Sequence, residues 1–524
     1  MDHNPLIPVR FQISQAGRDG PHGDLKSPFN AGRGEFIRLP DIEQHEPFPP
    51  IEHLLDGENI NIRGQWNLAI HSESASQLVE SDFRQPIPHP QIRPHPVRLL
   101  SMHHDPALAR QFALDVVAKL RAAGHQALWA GGCVRDQLLG KMPKDYDVAT
   151  DAQPERIREV FGRKRTLAIG AAFGVITVLG PQDAGQIEVA TFRRDIGYSD
   201  GRRPDAVAFT SAEEDAKRRD LTINGIFFDP IAEEYLDFVG GQEDLKNRIV
   251  RAIGNPHERF AEDKLRMLRA VRFATTFNFA LDAATLAAVQ AHSPDIRTVS
   301  AERIAAEMRR MLLHENRAAA LAMLRESGLL QEILPELAKL IVSETEAWER
   351  TLAILSGLKS PSFAMSLAAL LREVLLHTDL GVVKSILARW KLPNEDSGGA
   401  LLLLRDEPLI RTADSRPWPQ IQRLLVAPRA EELVSYSEAV ALALNKGLES
   451  IAFCRQKQSL PPEALNPPAL ITGEDLKKLG IALGPTYKDI LEAVRDEQLE
   501  GRISSLAEAV ELIRVRFAGQ IRKK

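Results

Sequence analysis

Apolar and polar positions follow two different periods along the chain. Between residues 126 and 240, short apolar and β-branched runs are bounded by glycine and polar turns, which predicts strands at QALWAG, YDVAT, GVITVLG and QIEVATF. Between these runs, CVRDQLLG and QPERIREVFG are predicted helices. A further helix precedes them, with Leu108, Phe112, Val116 and Leu120 four residues apart and Gly124 as its stop. This part of the chain is therefore predicted to be a compact α/β module.

After about residue 242 the pattern becomes helical. Apolar residues three and four positions apart give each segment one apolar face, as in DKLRMLRAVRFATTF, AERIAAEMRRMLL, RAAALAMLRESGLL and FAMSLAALLREVLL. A proline-rich break, LPPEALNPPA at residues 460–469, separates a last helical unit. The sequence thus predicts an α/β module followed by an all-α region.

The first hundred residues have no sustained period. They are rich in proline, histidine, glycine and charge, and such a segment does not bury enough apolar surface to offset its ordering entropy. Two interpretations stay open: a genuine disordered extension, or a native start at Met102 with the preceding residues not part of the protein.

The amino-acid composition excludes several classes of protein. The net charge of −5 excludes a strongly basic whole-chain surface, so any nucleic-acid interface must be a local patch. Two cysteines far apart in 524 residues indicate a reducing compartment, and we expect a cytoplasmic protein. No apolar run approaches the ~18 residues of a membrane span, so no membrane partner is expected. Nothing in the sequence sets an oligomeric state.

The stretch GGCVRD follows the first predicted strand. Gly131 and Gly132 allow close approach of the backbone to a ligand, and the following helix start favours an anion. Arg135 adds a guanidinium suited to phosphate oxygens. Taken alone, this stretch favours an ordinary strand-to-helix turn over a phosphate site.

The next motif, KDYDVAT, holds two carboxylates. Residues two apart in a strand face the same side, so Asp145 and Asp147 project together and Tyr146 faces away. Carboxylate pairs bind Mg²⁺ together with substrate phosphates, which is the chemistry of phosphoryl transfer. Glu188 on a later strand is a candidate third carboxylate. The alternative is a solvated strand edge.

Two basic segments fit the same chemistry. In KRRDLTINGIFFDP, Arg219 and Asn224 could hold the triphosphate and ribose of a nucleotide, with Asp220 beside them. The alternative for this segment is a helix start with a surface ion pair.

In AEDKLRMLRAVRFA, polar residues recur every three positions, which places them on one side of a helix. They are Asp263, Arg266, Arg269 and Arg272. An aspartate that accepts from an exocyclic amine and an arginine that donates to ring acceptors could read the edge of cytosine or adenine. The alternative is a solvated basic helix face.

Together these segments resemble the class II branch of the tRNA nucleotidyltransferase and bacterial poly(A) polymerase family, within the polymerase-β-type superfamily. The matching motifs are GGCVRD, DYD, GYSDGRRPDAV, RRDLTINGIFFDP, AEDKLRMLRAVRF and VSAERIAAEM, in the family's order over residues 126–335. The resemblance implies an α/β nucleotidyltransferase head with a polymerase-β-like mixed sheet, then an all-α neck, body and tail in a seahorse-like arrangement. The C-terminal segment resembles the family's tail more loosely.

The resemblance also implies an activity: addition of CCA to the tRNA 3′ end from CTP and ATP, without a nucleic-acid template. It implies a phosphoryl transfer with two Mg²⁺ ions, one that lowers the pKa of the attacking hydroxyl and one that stabilises the triphosphate, and with release of pyrophosphate. Carried over to this sequence, Asp145 and Asp147 bind Mg²⁺ and are catalytic. The nucleotide-binding set is Gly131, Gly132, Arg135, Arg219, Asp220, Asn224, Asp263, Arg266, Arg269 and Arg272. Within it, Gly132, Arg135 and Arg219 hold the triphosphate, and Asp263 and Arg266 select the base. The loop at residues 195–205 matches the family's mobile segment.

The implied domain organisation has five parts. Residues 1–101 are the extension, 102–240 the head, 241–335 a neck with the nucleotide-recognition helix and the family's RNA and SrmB-type binding region, 336–460 the body and 461–524 the tail.

Several alternatives remain at this stage. A poly(A) polymerase shares the chemistry, and its marker of glycine, two basic residues and phenylalanine is matched in part by Gly162, Arg163 and Lys164, followed by Arg165. An enzyme that adds only CC or only A is a second alternative. A non-catalytic RNA- or nucleotide-binding protein and a small-molecule nucleotidyltransferase are others. No phosphohydrolase activity is expected, because the helical half lacks an adjacent His-Asp pair.

Overall fold

The computed structural model describes residues 105–181, 183–197 and 206–520. The predicted N-terminal extension lies outside these residues, as do residues 198–205 of the predicted mobile segment and residues 521–524.

The α/β part alternates short helices and strands, as the sequence pattern predicts. Its elements are α1 Pro106–Ala122, β1 Ala127–Ala130, α2 Gly132–Leu138, β2 Asp147–Thr150, α3 Pro154–Phe161, β3 Thr166–Gly170, β4 Val175–Leu179, β5 Gln186–Thr191, β6 Arg193–Ile196, β7 Ala206–Phe209, α4 Ala212–Lys217, β8 Ile226–Asp229 and β9 Glu234–Asp237. Asp105 begins α1 by accepting a hydrogen bond from the Ala107 amide, with Pro106 in the first turn. A short 3-10 turn at Thr222–Asn224 connects α4 to β8.

Seven strands form one mixed sheet in the order β3-β4-β5-β2-β1-β8-β9. All neighbours in this sheet are antiparallel except β2 and β5. The register pairs Asp147 of β2 with Ala130 of β1 on one side and with Glu188 of β5 on the other. The end of β1 that carries the glycine turn therefore lies beside the start of β2.

Alternation along the strands gives the sheet two buried faces. One face packs against α1 through residues such as Val116, Trp129 and Ile187. The other contributes Leu128 and Phe227 to a smaller cluster that also contains residues of α4. Asp147 and Glu188 lie side by side where β2 begins.

The four strands expected from the sequence are confirmed as β1, β2, β4 and β5. Strands β3, β6, β7, β8 and β9 were not predicted. The charged sequence of β6, RRDI, has no apolar alternation, and its pairing with β7 supplies the missing stabilisation. The suggested helix start in KRRDLTINGIFFDP is wrong: α4 ends at Lys217, and the apolar run is β8.

From Gly241 onward the chain is mainly helical, with one short parallel strand pair that the sequence did not predict. The elements are α5 Gly241–Asn247, β10 Ile249–Val250, α6 Pro256–Glu262, α7 Leu265–Phe277, β11 Ala280–Leu281, α8 Ala283–His292, α9 Ala301–Leu313, α10 Arg317–Glu326, α11 Leu329–Ile333, α12 Pro335–Ser343, α13 Thr345–Gly357, α14 Phe363–His377, α15 Leu380–Arg389, α16 Asn394–Ile410, α17 Trp418–Leu425, α18 Ala430–Leu444, α19 Leu448–Gln458, α20 Pro462–Leu465, α21 Gly473–Lys478, α22 Thr486–Leu499 and α23 Leu506–Arg516.

The helices share one large core that runs from Ala252 to Cys454 and so includes residues of both the expected neck and the expected body. A separate small core from Ile471 to Ile513 belongs to α21, α22 and α23. The division into head, neck, body and tail stays a prediction. Among the described residues, no helix is long and apolar enough to cross a membrane.

One expected helix is interrupted at a residue of the predicted site. The sequence places Asp263 on the same helix as Arg266, but α6 ends at Glu262 and the backbone of Asp263 is extended, with φ −140° and ψ 104°. Its carboxylate accepts a hydrogen bond from the Leu265 amide at 3.1 Å, at the start of α7. Asp263 therefore lies at the break between two helices because its side chain competes for the backbone amides there.

Two isoleucines of neighbouring strands test the packing of the sheet. Ile176 in β4 is fully buried, and Ile169 in β3 is 89% exposed. We expect Ile176→Ala to lower the free energy of unfolding by about 2–5 kcal/mol, because it leaves a cavity under the sheet. Ile169→Ala should change it by less than about 0.5 kcal/mol. Urea unfolding of both variants measures this difference, and equal effects would contradict the described burial.

Candidate functional site

One cavity of about 740 Å³ brings the predicted site residues together. All twelve line it: Gly131, Gly132, Arg135, Asp145, Asp147, Arg219, Asp220, Asn224, Asp263, Arg266, Arg269 and Arg272. Arg218, Phe273 and Arg310 line it as well and were not among the sequence candidates. Seven arginines face four aspartates, so the walls carry an excess of three positive charges. A cavity of this composition suits a polyanionic ligand.

The glycine turn after β1 makes room for one of these arginines. Gly131 has φ +74°, a conformation that side chains rarely adopt, and a Cβ there would lie 3.1 Å from Nη1 of Arg219. Arg219 Nη1 also donates to the Asn224 carbonyl at 3.3 Å. The guanidinium lies over the Phe227 ring, 4.9 Å from its centroid. The backbone conformation at position 131 therefore favours glycine, and a side chain there would also press against the Arg219 guanidinium.

Asp215, which the sequence analysis missed, holds two arginines of the cavity. Its side chain is 2% exposed, and it accepts from Arg218 at 2.7 Å and from Arg219 at 3.0 Å. Burial raises the pKa of this carboxyl, but Arg219 and Arg218 outweigh burial and leave the pKa below its usual value. The spacing of three and four residues in α4 was the available signal for these pairs.

A chain of hydrogen bonds joins α2 to α7 across the cavity wall. Arg135 donates to Asp136 through Nη2 at 2.8 Å and to Oδ1 of Asn224 through Nη1 at 2.7 Å. Asn224 Nδ2 donates to Asp220 at 3.1 Å, and Arg269 Nε donates to the other oxygen of Asp220 at 2.7 Å. Asn224 thus bonds to protein groups through both ends of its amide.

Aromatic rings pack against several arginines of the cavity wall. Arg135 lies 5.1 Å from the centroid of Phe273 and 4.7 Å from that of Phe277, and Arg272 lies 4.0 Å from Phe273. The ring of Phe273 also faces Arg269, at 5.4 Å. Cation–π contacts of this kind hold a guanidinium without using its N–H donors. Phe273 gave no sequence signal beyond the apolar face of its helix.

The last two arginines share another buried carboxylate. Glu307 of α9 accepts from Arg272 at 2.5 Å and from Arg310 at 2.6 Å, and its side chain is 2% exposed. With these contacts, and with the pair of Arg266 and Glu262 at 2.6 Å, every arginine of the cavity pairs with a carboxylate.

The predicted base-reading pair also has protein partners. Asp263 accepts from Arg303 of α9 at 2.7 Å. Arg266 donates to Glu262 at 2.6 Å and to the Arg218 carbonyl at 3.1 Å. Arg303 is 40 residues from Asp263 along the chain, so spacing could not reveal this contact. These partners fix the orientation of both side chains in the cavity wall.

Asp145 and Asp147 differ from the other carboxylates. Both open onto the cavity, while Tyr146 is buried against Trp129 with ring centroids 4.8 Å apart. Over the residues that the structure describes, neither carboxylate makes a hydrogen bond or an ion pair. Although Asp147 faces the cavity, the surrounding protein displaces water and raises its pKa to about 6. The charges of Glu188 and Asp145 act in the same direction, and Arg219 partly offsets them.

This pair fits a divalent cation, because the charge of the cation would offset the repulsion between two neighbouring carboxylates that have no counterion. Glu188 is the strand neighbour of Asp147, but the described residues contain no group of three histidine, cysteine or acidic side chains that could hold a metal ion. The structure thus offers two protein ligands, and a bound phosphate would have to supply others.

Comparison with known proteins places this site in a family. Residues 127–251 match the family model of the poly(A) polymerase head domain, and residues 278–341 match the one described as a probable RNA and SrmB-binding site of polymerase A. The CCA-adding enzyme of Enterococcus faecalis is 34% identical over 414 residues, which cover 74% of this chain and 93% of that protein. The Geobacillus stearothermophilus enzyme is 34% identical over 409 residues, 76% of this chain and 95% of its own.

Solved structures give the same result. The Bacillus stearothermophilus CCA-adding enzyme in complex with CTP has a TM-score of 0.63 and 30% identity, over 78% of this chain and 99% of that one. The Thermotoga maritima CCA-adding enzyme complexed with tRNA shares the fold at 19% identity and a TM-score of 0.58. The fold and relatives define the protein as a nucleotidyltransferase. The chain belongs to the family of CCA-adding enzymes and bacterial poly(A) polymerases.

The Asp220–Arg269 pair predicts a pH dependence of stability. Burial opposes ionisation of Asp220, whose side chain is 10% exposed, but Arg269, Asn224 and Arg266 hold its pKa at about 2. This lies below the unfolded value, so the contribution is present above about pH 4 and is lost as the pH falls toward 2. Its size is on the order of 2 kcal/mol.

We therefore expect the stability difference between the wild type and Asp220→Asn to be equal at pH 7 and pH 5 and smaller at pH 3. Urea unfolding at the three pH values measures it. The control is Asp115→Asn on the surface of α1, which should change stability by less than about 0.5 kcal/mol. A difference that stays constant down to pH 3 would contradict the strongly depressed pKa.

Proposed function

We propose that the protein adds CCA to the 3′ end of tRNA from CTP and ATP. The observation that carries this proposal is the single cavity in which two unpaired carboxylates face seven arginines. Relatives over most of the chain are CCA-adding enzymes, and solved structures of such enzymes contain CTP, ATP or tRNA. A binding protein without catalytic activity would not need the unpaired carboxylates.

The triphosphate would bind at the arginine-rich wall. Arg219 presents its guanidinium beside Gly131, held by Asp215, and Arg135 projects from α2. Because buried carboxylates and aromatic rings already orient these groups, little side-chain entropy is lost when the ligand binds. Arg269 and Arg272 continue the positive wall along α7.

Asp145 and Asp147 would hold Mg²⁺ as the two protein ligands. When bound, Mg²⁺ supplies positive charge to the triphosphate oxygens and lowers the pKa of the attacking hydroxyl. The two carboxylates fix the position of the α-phosphate relative to the arginines. This positioning and the charge of the arginine wall are the contributions of the protein to the rate.

The reaction is then a direct displacement without a covalent protein intermediate. The 3′-hydroxyl oxygen of the RNA forms a bond to the α-phosphorus, and the bond from that phosphorus to the β-phosphate oxygen breaks. Pyrophosphate leaves with the electron pair, and the hydroxyl proton passes to solvent. Arg135 and Arg219 hold the negative charge of the leaving pyrophosphate.

Asp263 and Arg266 would read the base. A carboxylate can accept from the exocyclic amine of cytosine or adenine, and a guanidinium can donate to a ring acceptor of either base. Each carboxylate oxygen has two lone pairs, so the contacts of Asp263 with Arg303 and Leu265 leave acceptor capacity for the amine. The same pair can therefore serve both CTP and ATP.

A poly(A) polymerase is the second candidate, favoured by the description of the head-domain family. Against it, Arg165 stands where that branch has phenylalanine, and its guanidinium donates to the Leu179 carbonyl at 3.4 Å. An enzyme that adds only CC or only A carries out the same reaction as a CCA-adding enzyme, and only its product differs.

Primer extension distinguishes these activities. Purified protein with Mg²⁺ and labelled tRNA that lacks CCA should add two C from CTP and then one A from ATP, and then stop. The length of the products at nucleotide resolution is the measurement, with tRNA that ends in CCA as the control that should not be extended. A long ladder from ATP alone would identify a poly(A) polymerase, and no extension with any nucleotide would refute the proposal.

Removal of either unpaired carboxylate tests the metal assignment. We expect Asp145→Asn and Asp147→Asn each to lower the extension rate by at least about 10³-fold, because the cation site loses one of two ligands. Binding of CTP should persist in metal-free buffer, since the arginine wall is intact. Asp115→Asn on the surface of α1 is the control and should keep full activity. An extension rate within tenfold of the wild type in either variant would exclude that residue as a ligand.

A further inference from the structure

Two histidine rings meet between α6 and α8, outside the arginine-rich cavity. Nδ1 of His257 lies 3.2 Å from Nε2 of His292, and the ring centroids are 5.3 Å apart at an interplanar angle of 62°. Neither residue lines the cavity. The proposed reaction uses neither ring, so this contact has a separate origin.

The two helices hold the rings in place. His257 lies in the first turn of α6, where the side chain of Asn255 accepts a hydrogen bond from its amide at 3.0 Å. His292 is the last residue of α8. Phe260 and Val289, each three residues from one of the histidines on its helix, are buried in the large helical core. The packing of α6 against α8 therefore brings the two rings together at the edge of that core.

A carboxylate orients the second ring. Nδ1 of His292 lies 2.9 Å from Oδ2 of Asp295, three residues further along the chain. Because a carboxylate accepts, Nδ1 of the neutral ring carries the proton, and Nε2 presents its lone pair toward His257. Histidines that bind a metal ion are commonly oriented in this way, with the other ring nitrogen bonded to a carboxylate.

The separation of the two nitrogens is close to that of two ligands on one ion. Imidazole nitrogens bind Zn²⁺ at about 2.0–2.1 Å in a tetrahedral arrangement, which places two of them about 3.3–3.4 Å apart. The distance between Nδ1 of His257 and Nε2 of His292 is 3.2 Å. Without an ion, the His257 ring donates to the His292 ring. When an ion binds, the proton on Nδ1 of His257 moves through solvent to Nε2 of the same ring, and the freed lone pair binds the ion.

The ion has two protein ligands in this arrangement. Asp295 bonds to the opposite nitrogen of the His292 ring and so lies outside the ligand set. The described residues contain no group of three histidine, cysteine or acidic side chains that could hold a metal ion, and His257 is exposed, so water supplies the remaining ligands. Two imidazoles favour Zn²⁺, Ni²⁺ or Cu²⁺ over Mg²⁺, which prefers oxygen ligands.

We propose that His257 and His292 form a binding site for Zn²⁺ or a similar imidazole-binding divalent ion, and that Asp295 orients the site. The bound ion links α6 to α8. Because α6 ends at Glu262, which bonds to Arg266, this link braces the segment that leads into α7. The site is separate from the two unpaired aspartates of the cavity and does not depend on the proposed function.

Equilibrium dialysis of the full chain against Zn²⁺, in excess Mg²⁺, measures this site. The chain has 14 histidines, and each variant keeps all the others, so Zn²⁺ bound elsewhere cancels in the difference from the wild type. We expect His257→Ala and His292→Ala each to lose one bound Zn²⁺ per chain. The double variant should lose the same single ion and no more, because both rings bind it.

Two further variants separate this site from other histidine–carboxylate contacts. Asp295→Asn keeps both ligands and should weaken Zn²⁺ binding by about 10–100-fold, because the ring loses the carboxylate that orients it. The matched control is His125→Ala. His125 lies 3.2 Å from Asp151 and its side chain is 23% exposed, against 26% for His292, but the contact is with a carboxylate and not with a second histidine. This control should bind as much Zn²⁺ as the wild type.

The link between the helices gives a readout that does not count ions. An ion that binds only the folded chain raises the temperature of unfolding. Zn²⁺ should therefore raise this temperature more for the wild type than for His257→Ala, and EDTA should remove the difference. Equal unfolding temperatures in EDTA show that substitution of the exposed His257 leaves the fold intact.

Four results contradict the proposal. Wild-type Zn²⁺ binding in both single variants shows that the ring contact is only a hydrogen bond. Loss of one ion in each single variant and of two in the double variant shows that the rings bind separate ions. Unchanged affinity in Asp295→Asn refutes the orienting role of that carboxylate. An equal effect of Zn²⁺ on the unfolding temperatures of the wild type and His257→Ala refutes the link between the helices.

Discussion

The mutual repulsion of seven guanidinium groups in one cavity is the constraint on which this site depends. A cluster of that kind would spread apart or stay hydrated unless each charge were balanced before a ligand arrived. The structure balances all of them: Asp215 and Glu307 each hold two arginines, and Asp136, Asp220 and Glu262 hold one each. These carboxylates come from five places in the chain. The packing of α4, α7 and α9 against the sheet is therefore also the condition for the charge arrangement.

Asp145 and Asp147 do not take part in this balance, and that contrast separates the two proposed metal ligands from the carboxylates that pair with arginines. Asp215 has a lowered pKa because its arginines outweigh burial, whereas Asp147 has a raised one because burial and neighbouring acids dominate. The arginines are thus bonded to other carboxylates, and Arg219 offsets only part of the increase in the pKa of Asp147. The arginine wall is therefore held by protein partners before any ligand binds, whereas the two aspartates have no bonded partner among the described residues.

The sequence predicted the α/β then all-α order and twelve of the fifteen residues that line the cavity, because each motif contains its own chemistry within a few positions. It did not predict the partners. Arg303 bonds to Asp263, and Glu307 bonds to Arg272, because the helices that carry them pack together. The partners are too far apart in the sequence for a local spacing pattern to predict these contacts. The helix break at Asp263 was also missed, since an apolar period of three and four continues through it and only the competition of the carboxylate for backbone amides ends the helix. Strands β6 and β7 depend on pairing with each other rather than on their own alternation.

The amide of Asn224 has a fixed orientation in the cavity wall. Its amide has one end that only accepts and one that only donates, and it lies between a cation, Arg135, and an anion, Asp220. An aspartate of the same shape would set two anions against each other, and a leucine would leave both neighbours without their bond. If the amide were flipped, its NH₂ group would face Arg135 and its oxygen would face Asp220, so both hydrogen bonds would be lost. At this position a neutral group of fixed orientation therefore joins a cation to an anion, so that positive and negative charges alternate along the hydrogen-bonded chain from α2 to α7.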